Sequence, residues 1–170
     1  YTFMSSNTVL VDLTQNQTMI IDADDLDFVQ QFKWFAVKNS KGNYYAATNI
    51  RNADGTRGKL WLHRVLIDAV LGFQGDHKNL NSLDNRKSNL RMCTHSENQM
   101  NTNQHRDNRT GYKGVSRISS SKKFVARVRF NGQSHHIGCF VTPEEASAAY
   151  YDKAKRLCPD FVRTEHKDNN

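Results

Sequence analysis

The apolar positions of this chain fall mostly in short β-like runs separated by polar turns. In residues 7–62, "TVLVDL" and "TMIID" flank the polar turn "TQNQ", as two strands joined by a tight connection would. "DADDLDFVQQFKWFAV" follows, where Asp24 or Asp25 caps a short helix with Leu26, Val29 and Phe32 or Phe35 on one face. "NYYAATNIR" and "GKLWLHRVL" then flank "NADGTRG" as a hairpin. Trp34, Trp61, Tyr44 and Tyr45 are expected in the core here, not on a base-stacking surface. Residues 1–3, ahead of Met4, look foreign to the natural chain and are set aside.

From His63 the texture changes. "HRVLIDAVLG" has helical spacing at Val65, Leu66, Ala69 and Val70 and stops at Gly72. Gly75 to Asn101 is crowded with Asn, Asp and His. Within it "NLRMC" is a short strand, and Gly75 makes the strand before it weaker. Thr94 and Glu97 have the spacing of a capping box, so Asn98 falls on the first turn of a helix. Residues 102–111 show no periodicity and form a linker, in which His105, Arg106 and Arg109 suit phosphate tracking. In residues 112–166, "GYKGVSRI", "KKFVARVRFNG" and "QSHHIGCF" are three strands, the last two joined at Asn131-Gly132. A helix follows, with Thr142 as N-cap, Pro143 at its first position and an apolar stripe of Ala146, Ala149, Tyr150 and Ala154. Pro159 ends it.

Composition narrows the class. The 170 residues are 37% hydrophobic, which favours thin layers over one thick core. The net charge of +7 points to a polyanionic partner, and nucleic acid is the commonest. Cys93, Cys139 and Cys158 are an odd count without a Cys-x-x-Cys pair, so the expected setting is a reducing, intracellular compartment. No apolar run is long enough to suggest a membrane span.

The polar stretch offers phosphodiester chemistry. Hydrolysis needs a base to deprotonate water, and a divalent cation to neutralise charge on the phosphate and the leaving oxygen. A neutral imidazole is suited to the first role near pH 7. A hard cation such as Mg²⁺ takes carboxylate, amide and phosphate oxygens. Asp76, His77 and an Asn supply that set. Asn-rich loops also form to satisfy their own backbone through Asx turns, so residue types alone leave both readings standing.

"LHR" at Leu62–Arg64, "DHKNLNSLDNRKSNLR" at Asp76–Arg91 and "THSENQMN" at Thr94–Asn101 together resemble the HNH nuclease family, in its phage and intron homing endonuclease branch. The resemblance implies a β-hairpin and helix clasping one divalent ion, Mg²⁺ with Mn²⁺ as the alternative. It implies that His77 is the general base, and that Asp76 and Asn98 are catalytic metal ligands. Asn89 would pin the hairpin loop, with Asn85 and Arg91 in support. His63 matches the upstream His, either packing under the site or contributing directly.

"YKGV", "IGCF" and "TPEEASAAYYDKA" look like the plant Apetala/ethylene-response-factor DNA-binding domain. By that resemblance the sheet enters a major groove. Arg127 and Arg129 alternate with apolar neighbours on one strand, and Lys113, Arg117, Lys123 and His136 join them as DNA contacts. Ser134 stands where that family has Arg and His136 where it has Trp, so its sequence preference does not transfer.

The expected architecture is therefore α+β. A β-rich region over 7–62 leads into a ββα-metal module at about 72–101, forming one domain over 4–101. A three-stranded antiparallel sheet packed on one helix occupies 112–166. The expected function is a metal-dependent, site-directed endonuclease of double-stranded DNA, acting as monomer or dimer. The alternatives are a DNA-binding regulator on an inactive nuclease scaffold, and a structure-specific nuclease of branched DNA.

Overall fold

The computed structural model describes residues 1–5, 7–102 and 107–162. His105, Arg106 and residues 163–166 lie outside the described residues. The chain divides into two compact units, Tyr1–Cys93 and Thr94–Asn170, and each is α+β with small sheets and short helices.

The first unit begins with an antiparallel sheet of β1 (Thr2–Ser5), β2 (Thr8–Asp12) and β3 (Thr18–Asp22). Residues 2 and 3 pair with Leu10 and Val9, so the start of the chain set aside above belongs to this sheet. Gln15 and Asn16 both take positive φ (61° and 54°), as a two-residue hairpin turn requires. Alternation along β2 and β3 buries Val9, Val11, Met19 and Ile21. They pack with Val29, Trp34, Ala46 and Leu62, and the Trp34 indole donates to the Val29 carbonyl at 2.8 Å.

Two expected helices are shorter than their sequence pattern. After a 3₁₀ turn at Ala23–Asp25, α1 spans only Leu26–Val29, and no side chain caps it. Asp22 and Asp25 bind Lys87 instead, through its backbone N–H and its ammonium respectively. Likewise α2 spans Leu62–Val65 and does not reach Gly72. Asp68 turns to φ 47°, and Val70 and Leu71 are exposed, so the second half of that apolar stripe has no surface to pack on. Between them lies the sheet β4 (Phe35–Lys38), β5 (Tyr44–Arg51) and β6 (Arg57–Trp61), in that order. The hairpin β7 (Gln74–His77) and β8 (Leu90–Cys93) closes the unit.

The second unit opens with α3 (His95–Asn101), whose capping box joins Thr94 and Glu97 in both directions. Then come β9 (Val115–Arg117), β10 (Phe124–Phe130) and β11 (Gln133–Phe140), in spatial order β11-β10-β9. Asn131 and Gly132 turn the hairpin at φ 48° and 77°. α4 (Pro143–Leu157) carries a second capping box, Thr142 with Glu145. Its buried Ala146, Tyr150 and Ala154 meet Val115, Ala126 and Val128 of the sheet.

Gly114 fits under this helix for two reasons. Its φ is +71°, and a Cβ there would strike the Tyr150 ring and the Arg127 carbonyl. Gly111 has a similar φ of +76° but open space around it. Left-handed strain alone costs an L-residue about 1–2 kcal/mol, and overpacking adds about 1–3 kcal/mol. Gly114→Ala should therefore lower the stability of the second unit clearly more than Gly111→Ala. Urea unfolding followed by far-UV circular dichroism measures the difference.

Candidate active site

The hairpin β7–β8 presents the chemistry. Asp76 pairs across the ladder with Arg91, and His77 with Leu90. Asp76 and His77 are both buried. The Arg91 guanidinium donates to Asp76 Oδ2 through Nε at 2.8 Å and through its NH2 group at 2.7 Å. Two charge-assisted bonds on one carboxylate oxygen fix the side chain in direction.

Residues 78–89 connect the two strands and hold themselves by polar contacts. Asn89 accepts from the Asn79 N–H (3.0 Å) and donates to the Asp84 carbonyl (2.8 Å). Asp84 takes two bonds from the Arg86 guanidinium and one from the Asn79 amide. The Arg86 contact holds the Asp84 carboxyl below the usual carboxylate range. The loop is also laced to its surroundings. The Ile20 N–H donates to the Leu83 carbonyl and the Asn85 N–H to the Ile20 carbonyl, both at 2.8 Å. Ser82 donates to the Tyr44 carbonyl.

Asn85 is fully buried. Its amide nitrogen donates to the Leu83 carbonyl at 3.1 Å, which fixes which end of the amide faces the site. Asn85 Oδ1 then lies 3.4 Å from His77 Nε2. An amide oxygen only accepts, so Nε2 carries the proton and the basic lone pair falls on Nδ1. Burial pushes the His77 imidazole below its ordinary value, while Asn85, Asp76 and Asp84 pull the other way.

His63 of α2 lies beside it, with ring centroids 5.1 Å apart. Burial, and then the neighbouring His77 and Arg64, drive His63 down to about 3. Gly75 belongs to this packing. A Cβ at Gly75 would sit 2.6 Å from His63 Cδ2, so the residue that weakens the strand pattern is the one that admits the ring.

Tyr45 and Trp61 complete the surround. The Tyr45 ring lies 5.6 Å from His63 and 6.1 Å from His77, and Trp61 lies 6.4 Å from His63. Both are half-buried. Of the four aromatics expected in the core, Trp34 is buried there, and Tyr44, Tyr45 and Trp61 are half-buried. Burial, and then Asp76, raise the Tyr45 phenol, against a hydrogen bond to Asn39. The missed signal was parity: Tyr45 and Trp61 stand an even number of residues from Arg51, Lys59 and Arg57, on one sheet face.

Asn98 lies on the first turn of α3, its N–H bonded to the Thr94 carbonyl at 3.0 Å, and is half-buried. Among the described residues no group of three His, Cys, Asp or Glu side chains is placed to hold a metal. The Asp76 carboxylate is an oxygen donor of the kind a hard cation takes, and so, by itself, is the Asn98 amide.

On the second unit's sheet, Arg127 pairs with His136 and Arg129 with Ser134, all exposed. Lys123 is exposed just ahead of β10. Arg117 pairs with Phe124, which puts it on the opposite face from Arg127 and Arg129. The Lys113 ammonium donates to the carbonyls of Gln99, Met100 and Thr102, so it caps the C-terminus of α3. These two do not join the arginine face.

Residues 61–100 match the HNH endonuclease family. An uncharacterized HNH endonuclease of Acanthamoeba polyphaga mimivirus is 28% identical over 148 residues, covering 84% of this chain and 71% of the relative. No solved structure matches the chain. The two matches together support a DNA endonuclease. No described helix is long and apolar enough to cross a membrane.

The buried imidazoles set an acid limit. His63 is neutral when folded and has its ordinary value near 6.5 when unfolded. The unfolded chain therefore binds the extra proton between about pH 6.5 and pH 3. Stability should fall as pH drops through that window, by at most about 1.4 kcal/mol per pH unit for one group. His63→Phe should flatten the dependence in urea unfolding series run from pH 7 to pH 4.

Proposed function

We propose that this chain is a metal-dependent DNA endonuclease of the HNH type, directed to its sites by a separate DNA-reading sheet in the second unit. The observation that carries the chemistry is a buried histidine, kept neutral by its surroundings and oriented by Asn85, next to a carboxylate held by Arg91. His77 Nδ1 takes the proton from a water as its oxygen bonds to phosphorus and the phosphorus–oxygen bond to the leaving sugar breaks. Asp76 would hold a divalent cation, Mg²⁺ or Mn²⁺, which supplies charge neutralisation at the phosphate and the leaving oxygen, and the HNH resemblance implies Asn98 as its second ligand. Arg91 keeps Asp76 aimed. Asn89 and Asp84 hold the loop that carries Asn85, and His63 packs behind the base.

Site direction is assigned to β9–β11. Arg127, Arg129 and His136 share an exposed face, and a sheet with arginines outside and a helix behind can enter a major groove. The resemblance to the Apetala type of domain supports the same docking. One nuclease unit cuts one strand per engagement, so a monomer nicks, and a double-strand break needs a second copy or a second visit. A homing role follows if the reader selects a single long site.

Supercoiled plasmid carrying the flanking locus should be nicked or linearised in Mg²⁺ and left intact in EDTA. His77→Ala should lose at least about a hundredfold in rate. A wild-type protein inert with both Mg²⁺ and Mn²⁺, or a His77→Ala variant that cuts equally well, would overturn the mechanism. Separately, Arg127→Ala with Arg129→Ala should weaken binding to the cognate site by about 2 kcal/mol or more, while cleavage of excess non-specific DNA persists. Competition binding assays check this, and equal loss on both DNAs would place these arginines in general affinity.

A further inference from the structure

The sheet β4–β5–β6 carries four cations and no carboxylate in its three strands. Register sorts them by face. Arg51 stands directly opposite Arg57, Asn49 opposite Lys59, and Ala47 opposite Trp61. All these share one face with Tyr45, because side chains alternate along a strand. The other face, with Ala46 and Leu60, packs into the core of the first unit. Arg51, Arg57 and Lys59 are exposed. Among the described residues neither arginine forms an ion pair with a carboxylate. Like charges directly opposite each other weaken a sheet, so this pair is unfavourable unless an anion joins it.

The face continues into the active site. Lys59 Nζ lies 5.6 Å from the Trp61 ring centroid and 5.8 Å from that of Phe35. Its side chain thus crosses β5 above Ala47, which is small and fully buried. Trp61 touches Tyr45 edge-on at 6.2 Å, and Tyr45 leads to His63 and His77. Arg57 and Lys59, two residues apart on β6, leave the backbone about 7 Å apart, comparable to the spacing of successive phosphates on one nucleic-acid strand. The row therefore fits a polyanion of repeating charge better than a single anion.

We propose that this face is a phosphate track. Arg51, Arg57 and Lys59 bind the backbone of duplex DNA and lead it past Trp61 and Tyr45 to His77. The inference rests on the endonuclease reading, to which it adds a DNA contact outside both the nuclease motif and the second unit's sheet. Phosphate contacts of this kind give position and affinity without sequence information.

The test measures binding of the full chain to a labelled duplex in EDTA, across a series of salt concentrations, by fluorescence anisotropy. Each phosphate contact contributes about 0.9 to the slope of log affinity against log salt. The triple variant Arg51→Gln, Arg57→Gln, Lys59→Gln should lower that slope by about 2–3 and weaken binding at least about tenfold near 0.15 M salt. The variant Arg51→Lys, Arg57→Lys, Lys59→Arg should keep the slope to within about 1. In cleavage assays the glutamine variant should raise KM. An unchanged slope in a folded triple variant overturns the track. If that variant unfolds, the three single glutamine variants decide: a drop of about 1 each supports it, and no drop in any overturns it. Equal slopes and affinities for single-stranded and duplex DNA would overturn the duplex assignment. Because binding is read without metal, the two readings fail separately. A wild type that binds but never cuts removes the nuclease and leaves the track, and normal cutting with an unchanged slope removes the track alone.

Discussion

The connection between β7 and β8 has almost no apolar side chain with which to hold itself, and the active site depends on its being held. Its backbone amides and polar side chains must therefore satisfy one another, since a buried polar group left unpaired costs about 1–3 kcal/mol. Asn89, Asp84, Asn79 and Arg86 form that knot, and two backbone bonds to Ile20 tie it to β3. Asn85 sits where knot and strand meet. Its backbone N–H is bonded to Ile20 and its side chain reaches His77. Orientation of the base is thus inherited from the N-terminal sheet, through a residue with no apolar contribution to make.

Burial then sets the protonation state of the base. Two imidazoles packed 5.1 Å apart cannot both be charged without strong repulsion, and desolvation disfavours the charged form of each. His63, deeper in charge balance, stays neutral through the whole physiological range. It serves as apolar backing that still presents a ring of the right thickness against Gly75. A Cβ at 75 would displace that ring from its place beside His77. The glycine and the histidine are therefore one packing solution spread over two elements.

Much of this was legible in the chain, and the limits are instructive. Capping boxes at Thr94 and Thr142 and the Asn131-Gly132 turn are local codes, and the structure carries all three. The Asp76-His77 pair and the asparagines at 85 and 89 were visible as chemistry in a stretch too polar for a core. The lengths of α1 and α2 were not legible, and in α2 the apolar stripe of 65–70 runs out into exposed Val70 and Leu71. The reach of Lys113 back to α3 depends on a meeting of segments that no local pattern encodes. Tyr45 and Trp61 were assigned to the core by residue type, when their strand parity with Arg51, Arg57 and Lys59 separated them from it. Arg117 lies off the face of Arg127 and Arg129 for the same reason: charge near a strand says nothing about its face until the register is known.

The depth of the site bears on what it can cut. His77 is 5% exposed and Asp76 6%, so a phosphate reaches them only if it is guided there. Holding reacting groups in register is worth several kcal/mol of the barrier, and that gain is lost when a reactant is loosely placed. A short phosphodiester would meet the recessed imidazole with nothing to fix its approach. A polymer with charge on every residue can lie along exposed cations first and present one of its phosphates at a set depth. Recession of the base lowers its basicity and keeps it neutral, and it also shifts the burden of positioning onto surfaces outside the motif. A recessed base therefore favours a polymeric substrate over a small diester.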